Sequence, residues 1–446
     1  MDGTGIEVGQ ARDDELDAVL RLMCISFEMP YRAARPIYYA DPYLDSANKR
    51  VVRLHGQIVS CLSLVPAQCW IGPSVLPIVG LAGVATHPDH QGQGYAGLLL
   101  RDTLRSLQSR ECVLSALLAV APDLYLRHGW QLAGSEAHLI LPRTALLASP
   151  SSSQPPMPLR GSLSHENESR FRAPHPPLFG GQGGAQPPGR LLSNHVRSAT
   201  ADDLPGLARC YEREATGRAL HCLRDGPRWH YLLSQPHSAT VYAPGDSVEA
   251  YMIHEIRHGR VSLHDGGYPP TLVVKELRAS GPAARQALLH HLAAQERIDQ
   301  VEFVARQADL RAHGLLVYGG RIETSFQTLV RIVDFRRLLL ALCPFWSPFK
   351  GRIGLILADT TLPELSQQMI ITSDGAAVEV VGGDADAEND RVIGAVGPWS
   401  RVVVGQLSGE DACAFDLLRP SSAHARTLIS EWFPFRDPYL PAVDHF

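Results

Sequence analysis

Residues 84–100, reading VATHPDHQGQGYAGLLL, combine residue types and spacings that could bind phosphate. The apolar run that ends at Ala85 predicts a strand, which breaks at Pro88 and passes through Gly92 and Gly94. Leucines at three- and four-residue spacing then predict a helix. A strand that feeds a helix through such a turn directs several backbone N–H groups at one point, where the helix dipole adds positive potential. The small residues leave room for a pyrophosphate to approach the backbone.

Two familiar phosphate motifs are absent from this segment, and a glycine turn before a helix is common by itself. The dinucleotide fingerprint G-x-G-x-x-G and the GK[ST] ending of a P-loop are both missing. The order strand, proline, Gln-x-x-Gly-x-Ala, helix instead resembles motif A of the GCN5-related N-acetyltransferase (GNAT) superfamily, which binds the pyrophosphate of acetyl-CoA. The resemblance implies that one set of residues binds acetyl-CoA: Val84, Ala85, Thr86, Gln91, Gly92, Gln93, Gly94, Tyr95 and Ala96.

The composition is that of a soluble globular protein with two or three domains. The chain has 446 residues, of which 45% are apolar and 20% charged, and its net charge is −5. This charge argues against nonspecific nucleic-acid binding and leaves room for a cationic substrate. No apolar run is long enough for a membrane span, and the acidic start of the chain lacks the features of a signal peptide. The eight cysteines form neither a C-x-x-C pair nor a zinc pattern, so we expect reduced, mostly buried cysteines, no metal site and a cytoplasmic protein.

Hydrophobic periodicity divides the chain into three folded units and one linker. Residues 1–146 predict a strand, a helix, a hairpin, the motif strand and helix, another strand, a short helix and a closing strand. Within this unit, residues 27–45 are rich in tyrosine and proline, and they form a loop or short helices that line a pocket or only pack on the core. Residues 147–190 are dominated by Pro, Ser, Gly and Gln and predict a linker. Residues 191–333 repeat the element order of the first unit.

The second unit has lost the phosphate-binding pattern of the first. Its equivalent site, residues 278–283, reads RASGPA and lacks the Gln-x-x-Gly-x-Ala spacing, and Pro282 removes one N–H donor. The adjacent His290 and His291 point to different faces of a predicted helix, so they do not indicate a metal site. We therefore expect a degenerate copy of the first unit.

The third unit, residues 334–446, predicts an α+β domain with a mostly antiparallel sheet. A helix at Phe335–Leu342 precedes five expected strands, the last of them at residues 401–406, and two helices follow. No nucleophile, metal or phosphate pattern occurs in this unit. Its aromatic end, residues 432–439, favours docking of the tail onto the protein over a free terminus.

Two acetyltransferase-like units and an α+β domain that ends in a bare aromatic residue resemble the enhanced intracellular survival (Eis) family of N-acetyltransferases. The resemblance rests on the motif above, on residues 124–130 (LYLRHGW) and on the ending Asp444-His445-Phe446. It implies a fold class of two tandem GNAT-like domains, α/β and α+β, with a C-terminal domain like sterol carrier protein. It also implies assembly into a homo-oligomer, a hexamer.

The resemblance implies specific catalytic groups as well. In the family, the tyrosine of a Tyr-x-x-x-Gly-aromatic pattern protonates the departing CoA thiolate, and Tyr125 occupies that position. The C-terminal carboxylate accepts a proton from the substrate amine, which gives this role to Phe446. A carboxylate of ordinary pKa about 3.5 is a weak base, so it would mainly attract and orient the amine. Glu28 and Asp444 are further candidate anchors for substrate cations.

These residues imply an acetyl-CoA-dependent N-acetyltransferase that acts on primary amines of a small cationic molecule, such as an aminoglycoside or a polyamine-like compound. A protein or peptide acetyltransferase, and a lipid-binding module with a relic transferase domain, are the alternatives. The turn has Gln91, Gly92 and Gln93 where family members often have arginines. We therefore expect cofactor binding to depend more on backbone N–H groups and the helix dipole.

Overall fold

The structure is a computed structural model that describes residues 5–119, 121–147, 195–234, 238–257, 270–347 and 349–444. Nearly all of the predicted linker lies outside the described residues, and so do His445 and Phe446.

The described chain contains seventeen strands and twelve α-helices joined by turns, loops and short 3-10 helices. The strands are β1 (Ile6–Gln10), β2 (Lys49–Leu54), β3 (Gln57–Ile71), β4 (Ser74–Thr86), β5 (Leu114–Leu118), β6 (Gln131–Pro142), β7 (Val196–Ser198), β8 (Ser238–Tyr242), β9 (Ala250–Arg257), β10 (Thr271–Ala279), β11 (Gln300–Ala305), β12 (Arg321–Ile332), β13 (Lys350–Ala358), β14 (Gln367–Asp374), β15 (Val378–Gly382), β16 (Arg391–Ala395) and β17 (Leu418–Pro420). The helices are α1 (Leu16–Ser26), α2 (Tyr31–Ala40), α3 (Tyr95–Gln108), α4 (Asp123–Leu126), α5 (Leu204–Ala215), α6 (Gly226–Ser234), α7 (Pro282–Ala293), α8 (Gln307–Ala312), α9 (Phe335–Leu342), α10 (Val396–Val403), α11 (Gly409–Ala414) and α12 (Ala423–Trp432).

The first and second units share one twelve-stranded sheet, in the order β1-β2-β3-β4-β5-β12-β6-β11-β10-β9-β8-β7. Strand β12, at the end of the second unit, lies between β5 and β6 of the first, where Leu329 faces Leu117 on one side and Leu132 on the other. Strand β6 in turn pairs with β11, so that Leu141 faces Val301. Each unit therefore completes the sheet of the other, and the core is continuous between them.

The cleft of the first unit arises where β4 and β5 separate. The two strands run parallel and pair from Ile78 and Leu114 to Leu81 and Leu117, after which β4 continues to Thr86 without β5 and, among the described residues, pairs only with β3. Helix α3 covers one face of this region with a buried stripe of leucines, and α1 covers the other. The parallel pair β10–β11 followed by helices repeats the same arrangement in the second unit.

The third unit has a five-stranded sheet, in the order β15-β14-β13-β16-β17, with helices packed on it. The pairs are antiparallel except for β13 with β16. The strand expected at residues 401–406 is wrong, because this region is the end of helix α10. Its run of valines has strand propensity, but Val396, Trp399 and Val403 recur at helical spacing and are buried in one core.

The C-terminal tail docks on the protein, as its aromatic residues indicated, with Trp432, Phe433 and Tyr439 buried. Asp444 is 1% exposed. It pairs with the buried Arg224 of the second unit, whose guanidinium lies between two aromatic rings.

All eight cysteines are free and buried, as expected. In the part of the chain that the structure describes, no helix is long and apolar enough to cross a membrane.

Candidate active site

A cavity of about 970 Å³ occupies the gap between the ends of β4 and β5. Two of the nine predicted cofactor residues do not line it: the Ala85 side chain packs toward α1, and Gln93 lies on the exposed surface of the turn. The other seven line it: Val84, Thr86, Gln91, Gly92, Gly94, Tyr95 and Ala96. The structure thus brings most of the predicted motif to one cavity.

The turn before α3 presents unpaired backbone N–H groups to this cavity. Gly92 (φ 73°) and Gly94 (φ 83°) adopt left-handed conformations, which glycine reaches without steric cost. The N–H groups of Gly92, Gln93 and Gly94 donate to no acceptor among the described residues. A Cβ added at either glycine would meet no atom within 4 Å. Open space in front of free N–H groups at a helix N-terminus fits the pyrophosphate of acetyl-CoA.

Two glutamine side chains hold the turn in this shape. Gln91 donates to the Thr86 carbonyl at 3.3 Å, and Gln93 donates to the Asp89 carbonyl at 3.3 Å. The positions where relatives carry arginines therefore brace the loop internally, and Gln93 acts without facing the cavity.

Basic side chains outside the motif also line the cavity. Arg101 projects from α3, Arg127 follows α4, and His128 is buried beside them. Burial lowers the pKa of His128, so the imidazole is neutral at pH 7, and its Nδ1 bonds the Leu124 carbonyl at 2.8 Å. The guanidinium groups of Arg101 and Arg127 supply positive charge that the turn itself lacks. Cofactor binding that depends more on backbone N–H groups and the helix dipole, as the sequence predicts, would be assisted by these two side chains.

Tyr125 lines the same cavity from helix α4. Burial raises the pKa of its hydroxyl to about 12. The Tyr125 ring meets the fully buried Trp130 ring edge-on, with centroids 6.4 Å apart. Tyr125 is therefore a protonated phenol beside the cofactor loop.

The predicted substrate anchors do not line this cavity. Glu28 is exposed, with φ 53°, although its neighbour Phe27 does line it. Asp444 borders a small cavity together with Tyr43 and Arg228. The predicted role of Phe446 falls outside the described residues.

A second large cavity, of about 790 Å³, lies beside the beginnings of β4 and β5. Apolar atoms of Ile78 and Val79 form part of its wall, and the carboxylates of Glu111 and Asp225 also line it. Asp225 accepts a hydrogen bond from the Tyr43 hydroxyl at 3.2 Å.

The matching cleft of the second unit is almost closed. Its volume is about 20 Å³, and the tail residues Tyr439 and Pro441 line it. Helix α7 begins after Gly281, which is extended at φ −172°, and Pro282 contributes no N–H group. This cleft has neither the volume nor the left-handed turn of the first.

No group of three or more His, Cys, Asp or Glu side chains within the described ranges could hold a metal ion.

Comparison with known proteins agrees with this geometry. Residues 7–133 match a family model described as an acetyltransferase (GNAT) domain, and residues 221–332 match another model of the same description. No curated protein matches the chain with significance.

Several solved structures share the fold over the full length. A GCN5-related N-acetyltransferase from Anabaena variabilis ATCC 29413 has a TM-score of 0.71 and 16% identity, covering 99% of this chain and 100% of that one. One from Kribbella flavida has a TM-score of 0.70 and 18% identity, covering 99% and 98%. Eis1 from Mycobacterium abscessus has a TM-score of 0.62 and 16% identity, covering 99% and 100%.

At these identities the solved structures show the fold alone. The two family models are described as acetyltransferase domains, and they indicate the activity. The predicted duplication of the acetyltransferase fold is confirmed. The protein is an acetyltransferase of the GNAT superfamily, with two GNAT domains in one chain.

Proposed function

We propose that the first unit transfers an acetyl group from acetyl-CoA to a primary amine of a small cationic molecule, of the aminoglycoside or polyamine type. The observation that carries this proposal is that Tyr125 and the turn with free N–H groups line one cavity. Among the described residues, the second unit has no comparable cleft, and its strand β12 completes the sheet of the first.

Acetyl-CoA, when bound, supplies a thioester whose acetyl group an amine can attack. The N–H groups at Gly92 and Gly94 would hold the pyrophosphate, and Arg101 and Arg127 would add charge. The lone edge of β4 beyond Leu81 offers strand-like hydrogen bonds to the pantetheine.

Tyr125 holds a proton at the reacting end of the cavity. Its raised pKa makes it a hydrogen-bond donor that stabilises negative charge on a departing sulfur, and the proton source for that sulfur. The same burial would raise the pKa of a thiol in this cavity, which makes the departing sulfur a better proton acceptor.

A cationic acceptor is supported by the net charge of −5. We propose that the carboxylate of Phe446 attracts and orients the amine and accepts its proton. The buried Asp444, only two residues earlier, anchors the tail beside Tyr43 and Arg228.

We also propose that the chain is a member of the Eis family and that its third unit is like sterol carrier protein. Coverage of nearly the whole chain by the Eis1 fold supports this membership. Assembly into hexamers and a cytoplasmic location follow from the same resemblance, and sedimentation analysis would test the assembly.

The experiment measures CoA release with a panel of amines for the parent enzyme and for Tyr125→Phe. We expect turnover with cationic polyamines, and a loss of kcat on the order of 100-fold in Tyr125→Phe, since acid catalysis contributes 10²–10⁴. Full activity of Tyr125→Phe would contradict its role. Turnover of lysine peptides alone would favour the protein-acetyltransferase alternative.

A second variant tests the terminal carboxylate. A short extension after Phe446 moves the carboxylate without deleting a side chain, and we expect it to lower kcat strongly. An extended enzyme with unchanged kcat would rule out the terminal base.

A further inference from the structure

The turn that carries Tyr125 is stabilised by its own backbone hydrogen bonds and by the Trp130 ring that packs against Tyr125. The Tyr125 carbonyl accepts the N–H groups of His128 at 2.9 Å and Trp130 at 3.2 Å. Gly129, with φ 84°, lies between them and allows the chain to turn back. The position of Trp130 therefore determines the position of Tyr125.

Arg331 of β12 lies directly under this turn, and its side chain is 1% exposed. Its guanidinium carbon is 5.6 Å from the centre of the Trp130 ring. A Cβ on Gly129 would lie 1.9 Å from its Nη1, so no other residue fits at that position without moving Arg331. Arg331 thus touches both residues that shape the turn.

The third unit reaches this turn by two separate contacts. Asp359, 3% exposed, forms an ion pair with Arg331. Asp359 also accepts the backbone N–H groups of Thr361 at 3.0 Å and Leu362 at 2.9 Å, which fix its carboxylate. The Thr361 hydroxyl then donates to the Arg127 carbonyl at 3.2 Å, at the end of α4.

Packing alone does not explain why a charged side chain, that of Arg331, is buried at this position. The Nε and Nη1 atoms of Arg331 are buried and have no acceptor among the described residues. Leaving buried donors unsatisfied is destabilising, and apolar residues often replace a buried pair with a gain in stability. The pair therefore contributes something other than stability, which orientation of the turn would supply.

We propose that Arg331 and Asp359 are positioning residues through which the third unit orients Tyr125 for acetyl transfer. Asp359 orients Arg331, Arg331 supports Trp130 and Gly129, and these hold Tyr125 against the cavity. The inference rests on the acid role proposed for Tyr125, and it gives the third unit a part in the reaction at the first.

The test compares Asp359→Asn and Thr361→Val with the parent enzyme in acetyl-CoA-dependent CoA release. Asp359→Asn keeps the shape of the side chain and weakens the ion pair with Arg331. Thr361→Val also keeps the shape and removes the hydrogen bond to the Arg127 carbonyl. We expect Asp359→Asn to lower kcat about tenfold with little change in the KM for acetyl-CoA, and Thr361→Val to lower it less. Thr361 is half-buried and its hydrogen bond is exposed, so this variant tests the proposal even if Asp359→Asn does not fold.

Glu388→Gln is the matched control. It breaks an exposed ion pair with Arg352 in the same unit, at 2.7 Å, and we expect unchanged kcat. If Asp359→Asn and Thr361→Val also leave kcat unchanged, the proposal is wrong.

A double-mutant cycle separates positioning from general damage. If Asp359 acts through Tyr125, Asp359→Asn should have almost no further effect on kcat in the Tyr125→Phe enzyme. The same tenfold loss in both backgrounds would overturn the inference alone. A fully active Tyr125→Phe enzyme would defeat the proposed acid, and the inference with it.

Discussion

The hydroxyl of Tyr125 keeps its proton at every pH at which acetyl transfer is ordinarily measured. Burial raises its pKa to about 12, and an acid catalyst is active below its pKa. The contribution of Tyr125 is therefore complete at neutral pH and lost only as the pH rises through about 12.

This state of Tyr125 gives a prediction for the pH profile. The ratio of kcat in the parent enzyme to kcat in Tyr125→Phe should stay constant from about pH 7 to pH 10. Steady-state kinetics across that range would measure it. A ratio that falls with a midpoint near pH 10 would show that the phenol titrates normally.

The sequence indicated some site residues and missed others for identifiable reasons. Tyr125 was found because it belongs to a spaced pattern with Gly129 and Trp130. Arg101 was missed although it lies seven residues after Gly94, two helical turns along, and so faces the same way. A search at helical spacing from the turn would have found it, whereas Arg331 is distant in sequence and has no such signal.

Helix α3 depends on how the chain enters it. Gly94 has the left-handed conformation that caps the helix and turns the first N–H groups toward the cavity. No atom lies within 4 Å of a Cβ placed there, so a clash with neighbouring atoms is not what requires glycine. The left-handed backbone conformation and the space needed by the ligand require it.

We predict that Gly94→Val weakens acetyl-CoA binding by at least about tenfold, because strain of about 1–2 kcal/mol and a side chain in the phosphate space act together. Isothermal titration calorimetry would measure the dissociation constant. Gly56→Val is the matched control, since Gly56 has φ 81° and open space but lies in the β2–β3 turn. Equal loss of affinity in both variants would contradict a local role of Gly94.

Elements with a clear hydrophobic periodicity could be predicted from the sequence. Elements whose residues favour more than one structure could not. The motif strand and helix were placed correctly because leucines recur at helical spacing after a clear break. Residues 27–45 were predicted to form either a loop or short helices. The structure has helix α2 there, with Pro36 inside it. The valines within residues 401–406 led to the wrong prediction of a strand. Strand propensity alone was considered there, whereas burial of one helical face determines the structure.

The exchange of strands between the units means that neither is complete alone. Without β12, strands β5 and β6 lose their shared partner, and the buried Leu117 and Leu329 are separated. No local pattern in the sequence reveals this pairing, because it joins segments roughly two hundred residues apart.

We predict that residues 1–147 expressed alone do not form a stable domain, since they expose two strand edges and an uncovered core. Circular dichroism and size-exclusion chromatography would show this. Co-expression with residues 191–446 is the control that should restore soluble protein. A monomeric fragment with cooperative unfolding would show that the first unit is self-sufficient.

The buried Arg224 joins the second unit to the tail. Its guanidinium donates to Glu276 at 2.8 Å and to Asp444 at 2.7 Å. Burial alone would raise the pKa of Glu276, but the charges of Arg224 and Arg278 lower it to about 2. This stabilising contribution is therefore present above about pH 4.3 and lost as the pH falls through about 2.

We predict that Arg224→Met lowers the free energy of unfolding by about 3–5 kcal/mol at pH 7, because two buried carboxylates lose their closest cationic partner. Urea denaturation would measure the change. Arg352→Gln removes an exposed pair and should leave the free energy of unfolding nearly unchanged. Similar values for the two variants would show that the buried network adds little.

The position of β12 also has a consequence for synthesis on the ribosome. The ribosome completes β5 at Leu118 but reaches Ile332 only about 200 residues later. At roughly 5–20 residues per second, the nascent first unit waits on the order of ten to forty seconds with open strand edges. This interval is long enough for edge-to-edge aggregation, so chaperone supply during translation should set the yield of this protein more than its final stability does.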